Sequence, residues 1–158
     1  RFKQRRGRMV KKIKIRPPFI ALFYLLLAIG LDYLLSTKKI IFYPYNLIGI
    51  LIMIGGITLI VLSTNLFKKS GTPKSPFKKP KAIVTSGPYR FTRNPMYLGV
   101  TTTSLGIATL FGTLIVFLAP LFFFLTINAT FIPREEKLLR QIFGKEYLAY
   151  KKKVRRWI

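Results

Sequence analysis

The sequence predicts an all-α integral membrane protein with about four transmembrane helices and an amphipathic C-terminal helical segment on the cytoplasmic side. Three observations carry that prediction. Hydrophobic residues make up 51% of the chain and mean hydropathy is +0.35, even though 28 Lys and Arg residues against four acids give a net charge of +24. A soluble basic protein of this size is far less apolar. The positive charge is also segregated: residues 1–16 hold nine basic side chains, residues 64–96 hold eight and residues 133–158 hold nine, which leaves only Lys38 and Lys39. Between these blocks lie apolar stretches long enough to cross a bilayer, and Lys and Arg collect in the cytoplasmic loops of such proteins. Both termini and the 64–96 loop are therefore expected in the cytoplasm, within one membrane-embedded domain. The alternation argues against a nucleic-acid-binding surface and for attraction to anionic lipid headgroups.

What is missing narrows the chemistry. The chain has no cysteine and no histidine, so there is no thiolate nucleophile, no imidazole base and no expected metal site. Zinc hydrolysis and Ser-His or Cys-His catalysis are excluded on those grounds.

The elements follow in order. Residues 1–16 form a basic arm with Ile13 and Ile15 interspersed, expected to lie along the headgroups. No small-residue cleavage site follows the first apolar segment, so it is not read as a secretory signal. Pro17 and Pro18 then open a span over residues 19–35, near the lower length limit for crossing a bilayer. Asp32 lies toward its far end, either as an interfacial acid close to Lys38 and Lys39 or as an intramembrane carboxylate with a role of its own. The second span covers residues 41–66 and opens on Phe42-Tyr43-Pro44-Tyr45, which suits an interface belt. Its Gly49, Gly55, Gly56 and Thr58 offer the small residues that close helix packing in lipid requires. Asn65, at the cytoplasmic end, is read as an interfacial amide. The loop over residues 68–93 carries Pro73, Pro76, Pro80 and Pro88. Its apolar Ala82-Ile83-Val84 run predicts that the second half docks onto the protein.

Residues 86–99, Ser-Gly-Pro-Tyr-Arg-Phe-Thr-Arg-Asn-Pro-Met-Tyr-Leu-Gly, are the most constrained stretch. Pro88 and Pro95 each lack an N–H and restrict the residue before them, which predicts ordered, bent backbone. At a membrane boundary such backbone persists only where protein or ligand satisfies its polar groups. The third span, residues 96–111, is rich in Gly, Ser and Thr, whose hydroxyls bond back to the preceding turn; it is expected to be enclosed in the bundle. Gly112 and Thr113 make a turn, and residues 114–132 form the last span, with a kink expected at Pro120. In the tail, residues 133–158, Pro133 fits the first turn of a helix, and Glu135 and Glu136 lie where the positive end of the helix dipole favours acids. Leu138, Leu139, Ile142, Phe143 and Tyr147 form an apolar stripe that Gly144 interrupts. The acid pair is open to two readings, helix-start chemistry or a ligand site. Three of the four acids lie in this tail, and a cationic ligand entering so basic a protein needs a negative counterpart.

Lys81 through Tyr89, then Arg93-Asn-Pro-Met-Tyr-Leu-Gly99, then Glu135-Glu136 followed by Ile-Phe-Gly-Lys-Glu-Tyr147 and Tyr150, resemble the isoprenylcysteine carboxyl methyltransferases and the related phospholipid methyltransferases. The resemblance covers residues 71–157. It implies an integral membrane methyltransferase that moves a methyl group from S-adenosylmethionine to a lipophilic membrane acceptor, a carboxylate or a lipid headgroup. It implies cofactor contacts at Lys81, Ala82, Ile83, Val84 and Tyr89, at Arg93, Asn94, Pro95, Met96, Tyr97 and Gly99, and at Glu135. Two positions depart from the family pattern: Asn94 replaces the usual His, and Phe131 stands where the isoprenylcysteine enzymes carry a substrate-positioning Arg. Arg134 is the expected substitute, and Glu136 joins it as a candidate for the chemistry. Transfer is expected to be in line and driven by positioning and exclusion of water; a carboxylate acceptor needs no base, whereas an amine would need Glu135, Glu136, a tyrosine or water. Two other classes stay open: an NADPH-dependent sterol-type reductase, whose cofactor would suit Lys and Arg better than a Glu pair, and a non-enzymatic scaffold. Oligomeric state is not legible.

Overall fold

The computed structural model describes residues 16–71 and 82–158; the basic arm up to Ile15 and Lys81 in the central loop lie outside them. Among the described residues the chain is helical, with no strand. The helices are α1 (Pro17–Leu35), α2 (Ile48–Lys69), α3 (Pro95–Phe111), α4 (Leu114–Thr126) and α5 (Ile132–Lys153), and a π turn over Ile127–Phe131 joins the last two into one run. Helices α1, α2 and the run starting with α4 are long and apolar enough to cross a membrane. Helix α3, the fourth, has 17 residues, about 25 Å of axis, just short of a hydrocarbon core.

Proline positions explain the helix starts. Pro17 and Pro95 occupy the first helical residue of α1 and α3, where the missing N–H costs nothing and the fixed φ is already helical. Helix α2 begins at Ile48, seven residues later than the apolar run that starts at Ile41, because Pro44 leads into a short 3-10 turn over Tyr45–Leu47. Gly112 closes α3 in the left-handed region at φ 71°. Its carbonyl accepts the N–H groups of Ile40 (2.7 Å) and Ile41 (3.1 Å), which fastens the α1–α2 connection to the α3–α4 turn.

The bundle is a series of neighbours: α2 packs on α3, α3 on α4 and α4 on α1. The α2–α3 seam is built from four glycines that meet in reciprocal pairs. A Cβ on Gly56 would lie 2.7 Å from the Gly99 carbonyl oxygen and one on Gly99 2.8 Å from that of Gly56; Gly49 and Gly106 stand in the same relation one level further along. Glycine lets the two backbones approach directly, as lipid-embedded helices require. Gly55 has open space beside it and Thr58 is exposed, so of the four small residues in this span only Gly49 and Gly56 form the seam. As expected, Thr101, Thr103 and Thr109 return hydrogen bonds to carbonyls four residues back, at 2.8–2.9 Å. Six residues of α3 are buried, against three each in α1 and α2, so the third span is enclosed. The apolar core groups Ala21 of α1 with Phe123, Ile127, Phe131 and Ile132. Large side chains such as Phe19, Phe23, Leu26 and Leu51 are exposed on α1 and α2, the pattern of faces turned to lipid.

Candidate functional site

The site forms where the first turn of α3 meets the first turn of α5. Ser86 leads into a 3-10 turn over Gly87–Arg90, with Gly87 at φ 57°, and Tyr89 from that turn is buried with its ring edge-on to Phe67. Asn94 then caps α3 with non-helical backbone, and Pro95 starts the helix. The constrained stretch has the bent, ordered form expected of two prolines.

Tyr97 donates its hydroxyl to Glu135 Oε1 at 2.5 Å, bridging α3 and α5. Burial pushes the Glu135 carboxyl up to about 7 from 4.5, against the opposing effect of that hydrogen bond. Burial likewise raises the Tyr89 phenol well above its ordinary value, reinforced by Tyr150 and by Glu135 itself. Glu136 is in a different environment. Arg93 Nη1 reaches its Oε1 at 2.8 Å, Arg156 Nε the same oxygen at 3.2 Å, and Lys151 Nζ its Oε2 at 2.7 Å. Burial alone would raise the Glu136 carboxyl, but the hydrogen bonds from Lys151 and Arg156 and the charge of Arg93 outweigh it and hold the group below its usual range. The Arg93 side chain is 9% exposed, donates also to Tyr147 Oη at 3.3 Å, and has a buried Nε with no hydrogen-bond partner among the described residues.

A C-terminal strap closes one side of this cluster. Helix α5 bends at Gly144 (φ 50°, ψ −117°) and ends at Lys153. The strap then runs beside the α3 entry: Arg93 N–H donates to the Arg155 carbonyl at 3.0 Å, and the Thr92 hydroxyl and Asn94 amide donate to the Arg156 carbonyl at 3.0 and 2.9 Å. Asn128, in the π turn, accepts from Trp157 Nε1 at 3.2 Å and Arg156 Nη1 at 3.3 Å, and the Trp157 ring lies 4.6 Å from that of Phe124. Tyr150 donates to the Tyr89 carbonyl at 2.8 Å. A cleft of about 430 Å³, lined by Thr85, Arg90, Tyr150 and Lys153 among others, opens between the turn and α5.

Of the residues singled out in the sequence, the fold therefore gathers Tyr89, Arg93, Asn94, Tyr97, Glu135 and Glu136, with Pro95 and Met96 in the same turn of α3. Ala82, Ile83 and Val84 form the irregular lead into the 3-10 turn. Two others stand apart. Gly99 is in the helix seam, with its close approach to Gly56 and Ile60 of α2. Arg134 is exposed and takes no part in the cluster around Glu136, where Arg156 and Lys151 stand beside Arg93 instead. Sequence reasoning missed those two, together with Asn128, Thr92 and Trp157. Only Tyr147 and Tyr150 carried a signal, as two aromatics three residues apart on one helical face.

Three arrangements define what this geometry can hold. Among the described residues Glu135 is a carboxylate paired with no cation and Arg93 Nε is a buried donor without an acceptor, and Tyr89 and Tyr97 are aromatic walls beside them. A small zwitterion with added positive charge matches that donor set.

No solved structure matches the chain. An uncharacterized protein of Haemophilus influenzae (strain Rd) is 41% identical over 63 residues, which is 40% of this chain and the whole of that protein. The phospholipid methyltransferase family matches residues 45–146, from the turn before α2 to beyond the acid pair of α5. The match takes in well over half of the chain, both walls of the site and the seam that sets their distance, and the chain belongs to the phospholipid methyltransferase family.

Proposed function

We propose that the protein is an S-adenosylmethionine-dependent methyltransferase acting on a lipophilic acceptor at the cytoplasmic membrane interface. The observation that carries this reading is the unequal treatment of two adjacent carboxylates. Glu136 is neutralised by three cations from the protein, whereas Glu135 pairs with no cation among the described residues and its carboxyl is raised by burial. A cationic ligand would supply the missing counter-charge. When bound, S-adenosylmethionine supplies a methyl group carried on a cationic sulfonium. Glu135 would hold its ammonium or ribose hydroxyls, Arg93 Nε would meet its carboxylate, and Tyr89 and Tyr97 would flank the rest. Glu136 keeps Arg93 in place. The strap of Arg155–Trp157 covers the site's outer side and excludes water, which strengthens each of these interactions.

The acceptor is proposed to be a headgroup that reaches the site from the bilayer, in keeping with the family's description as phospholipid methyltransferases. An amine acceptor must give up its proton before it can attack; Glu135 is committed to the cofactor in this reading and Glu136 to three cations, so water takes that proton. The family match supports methyl transfer over reduction or scaffolding, and the acid pair is a poor counterpart for the phosphates of NADPH. Isothermal titration of the purified chain tests the cofactor: micromolar binding of S-adenosylmethionine that Glu135→Gln abolishes is expected, and undiminished affinity in that variant would remove Glu135 from the site. Incubating membranes with methyl-labelled cofactor and identifying the labelled lipid names the acceptor.

A further inference from the structure

A second cleft, larger than the one beside α5, lies at the opposite end of the bundle from the acid pair. Its volume is about 730 Å³, and its lining includes Asp32 and Thr37 after α1, Lys39, Leu110 and Phe111 at the end of α3, and Thr113 in the α3–α4 turn. Tyr97 and Leu110 are thirteen residues apart on α3, which puts roughly 20 Å of helix between this cleft and the candidate methyl-transfer site. None of the chemistry described so far uses it.

Its polar groups are arranged and incompletely satisfied. The Thr37 hydroxyl donates to Asp32 Oδ1, and the Thr37 N–H donates to the Asp32 carbonyl at 3.4 Å, so the carboxylate is held by its own loop. Lys39 is fixed by backbone pairing with Thr113. Thr113 is 3% exposed, and its hydroxyl has no hydrogen-bond partner among the described residues. A buried hydroxyl left unpaired costs free energy, which a ligand oxygen or nitrogen would recover. The cleft thus offers one carboxylate, one ammonium and hydroxyls beside the apolar walls of Leu110 and Phe111, at the ends of the apolar helices α1 and α3.

We propose that this cleft binds the headgroup of a zwitterionic aminophospholipid from the leaflet opposite the catalytic site. The primary ammonium pairs with Asp32, the phosphate with Lys39 and the Thr113 hydroxyl, and the first acyl carbons lie on Leu110 and Phe111. An anionic lipid leaves Asp32 unmatched, and a quaternary ammonium has no N–H to give it. The assignment does not depend on the identity of the methyl donor or acceptor.

Native mass spectrometry of the full chain in detergent, titrated with phosphatidylethanolamine, phosphatidylcholine and phosphatidylglycerol of the same acyl chains, tests it. Phosphatidylethanolamine is expected to be retained about tenfold more tightly than the other two, a difference that Asp32→Asn removes. Thr113→Val replaces a hydroxyl that has no partner among the described residues, so it is expected to leave helicity and thermal unfolding unchanged while weakening phosphatidylethanolamine retention several-fold. Glu135→Gln is expected to leave the lipid preference intact, which separates this cleft from the acid-pair site. Loss of preference in either cleft variant supports the proposal. Equal retention of the three lipids by the unmodified chain, or an unchanged preference in both Asp32→Asn and Thr113→Val, overturns it. Equal competition by soluble glycerophosphoethanolamine would overturn the lipid as the source of the headgroup.

Discussion

Three cations reach the Glu136 carboxylate at 2.7–3.2 Å, whereas Glu135, one residue earlier, accepts a hydrogen bond from Tyr97 and pairs with no cation among the described residues. The two side chains therefore respond oppositely to substitution and to pH. Because burial raises the Glu135 carboxyl to about 7 from 4.5, the folded chain holds that proton more tightly than the unfolded chain between those values. The resulting cost to stability grows as pH rises from 4.5 to 7 and is constant above. Glu135→Gln is thus expected to unfold at the same temperature as the unmodified chain or higher at pH 8, with the difference shrinking toward pH 5, as thermal scans would read directly. Glu136 has the opposite sign: its carboxyl is held low, so its contribution is present above its ordinary range and is lost as pH falls through the folded value. Glu136→Gln leaves buried Arg93 without its counter-charge and is expected to cost about 3 kcal/mol in chemical denaturation. Ionisation of Glu135 also gates the proposed cofactor. With a value near 7, the charged fraction rises about tenfold from pH 6 to pH 8, and the apparent affinity for S-adenosylmethionine is expected to rise by the same factor. Calorimetry that shows flat affinity across that range would disconnect Glu135 from cofactor binding.

At the level of elements, the helix seam sets the distance between the two walls of the site. Gly56 and Gly99 meet backbone to backbone, and a Cβ on Gly56 would fall 2.5 Å from the Thr103 nitrogen, so a side chain there must push α2 off α3. Gly56→Val is expected to lower stability by about 3 kcal/mol, roughly 10 °C in the unfolding midpoint, whereas Gly55→Ala, which meets open space, should be neutral or mildly stabilising. The contrast shows where the sequence was informative. The apolar spans, the basic blocks and the proline-started helices were legible because each rests on local composition. That small residues line a helix contact was legible too, but which of them do so was settled by phase: Gly49 and Gly56 are seven residues apart, as are Gly99 and Gly106, and both pairs return to one face every two turns. The shift of α2 to Ile48 came from turn geometry around Pro44, which periodicity does not register. The strap was the least legible. Val154 to Trp157 has no helical pattern, and its partners Thr92 and Asn94 lie more than sixty residues away in the chain.

For the molecule as a whole, the distribution of charge predicts an orientation, and the proposed chemistry depends on it. Twenty-six of 28 Lys and Arg residues fall in the blocks that would share one side, with Lys38 and Lys39 on the other. The acid pair, the α3 entry and the strap all belong to the basic end of the bundle, while the cleft around Asp32 belongs to the other end. We propose, on the positive-inside tendency, that the basic end faces the cytoplasm, where S-adenosylmethionine is made and kept. The chain has no cysteine of its own, so single-cysteine probes report without background. Ser70 after α2, Ile158 at the strap and Lys38 beyond α1 are all exposed. In intact cells a membrane-impermeant maleimide is expected to label Lys38→Cys and to leave Ser70→Cys and Ile158→Cys unlabelled until the membrane is permeabilised. The reverse pattern would put Glu135 on the side that lacks the cofactor, and the methyltransferase reading of the acid pair would fail with it. Labelling of all three before permeabilisation would mean that α3, about 25 Å long by its 17 residues, does not separate the two ends; labelling of Lys38→Cys alone means that α1 and α2 hold opposite orientations around a site facing the cytoplasm.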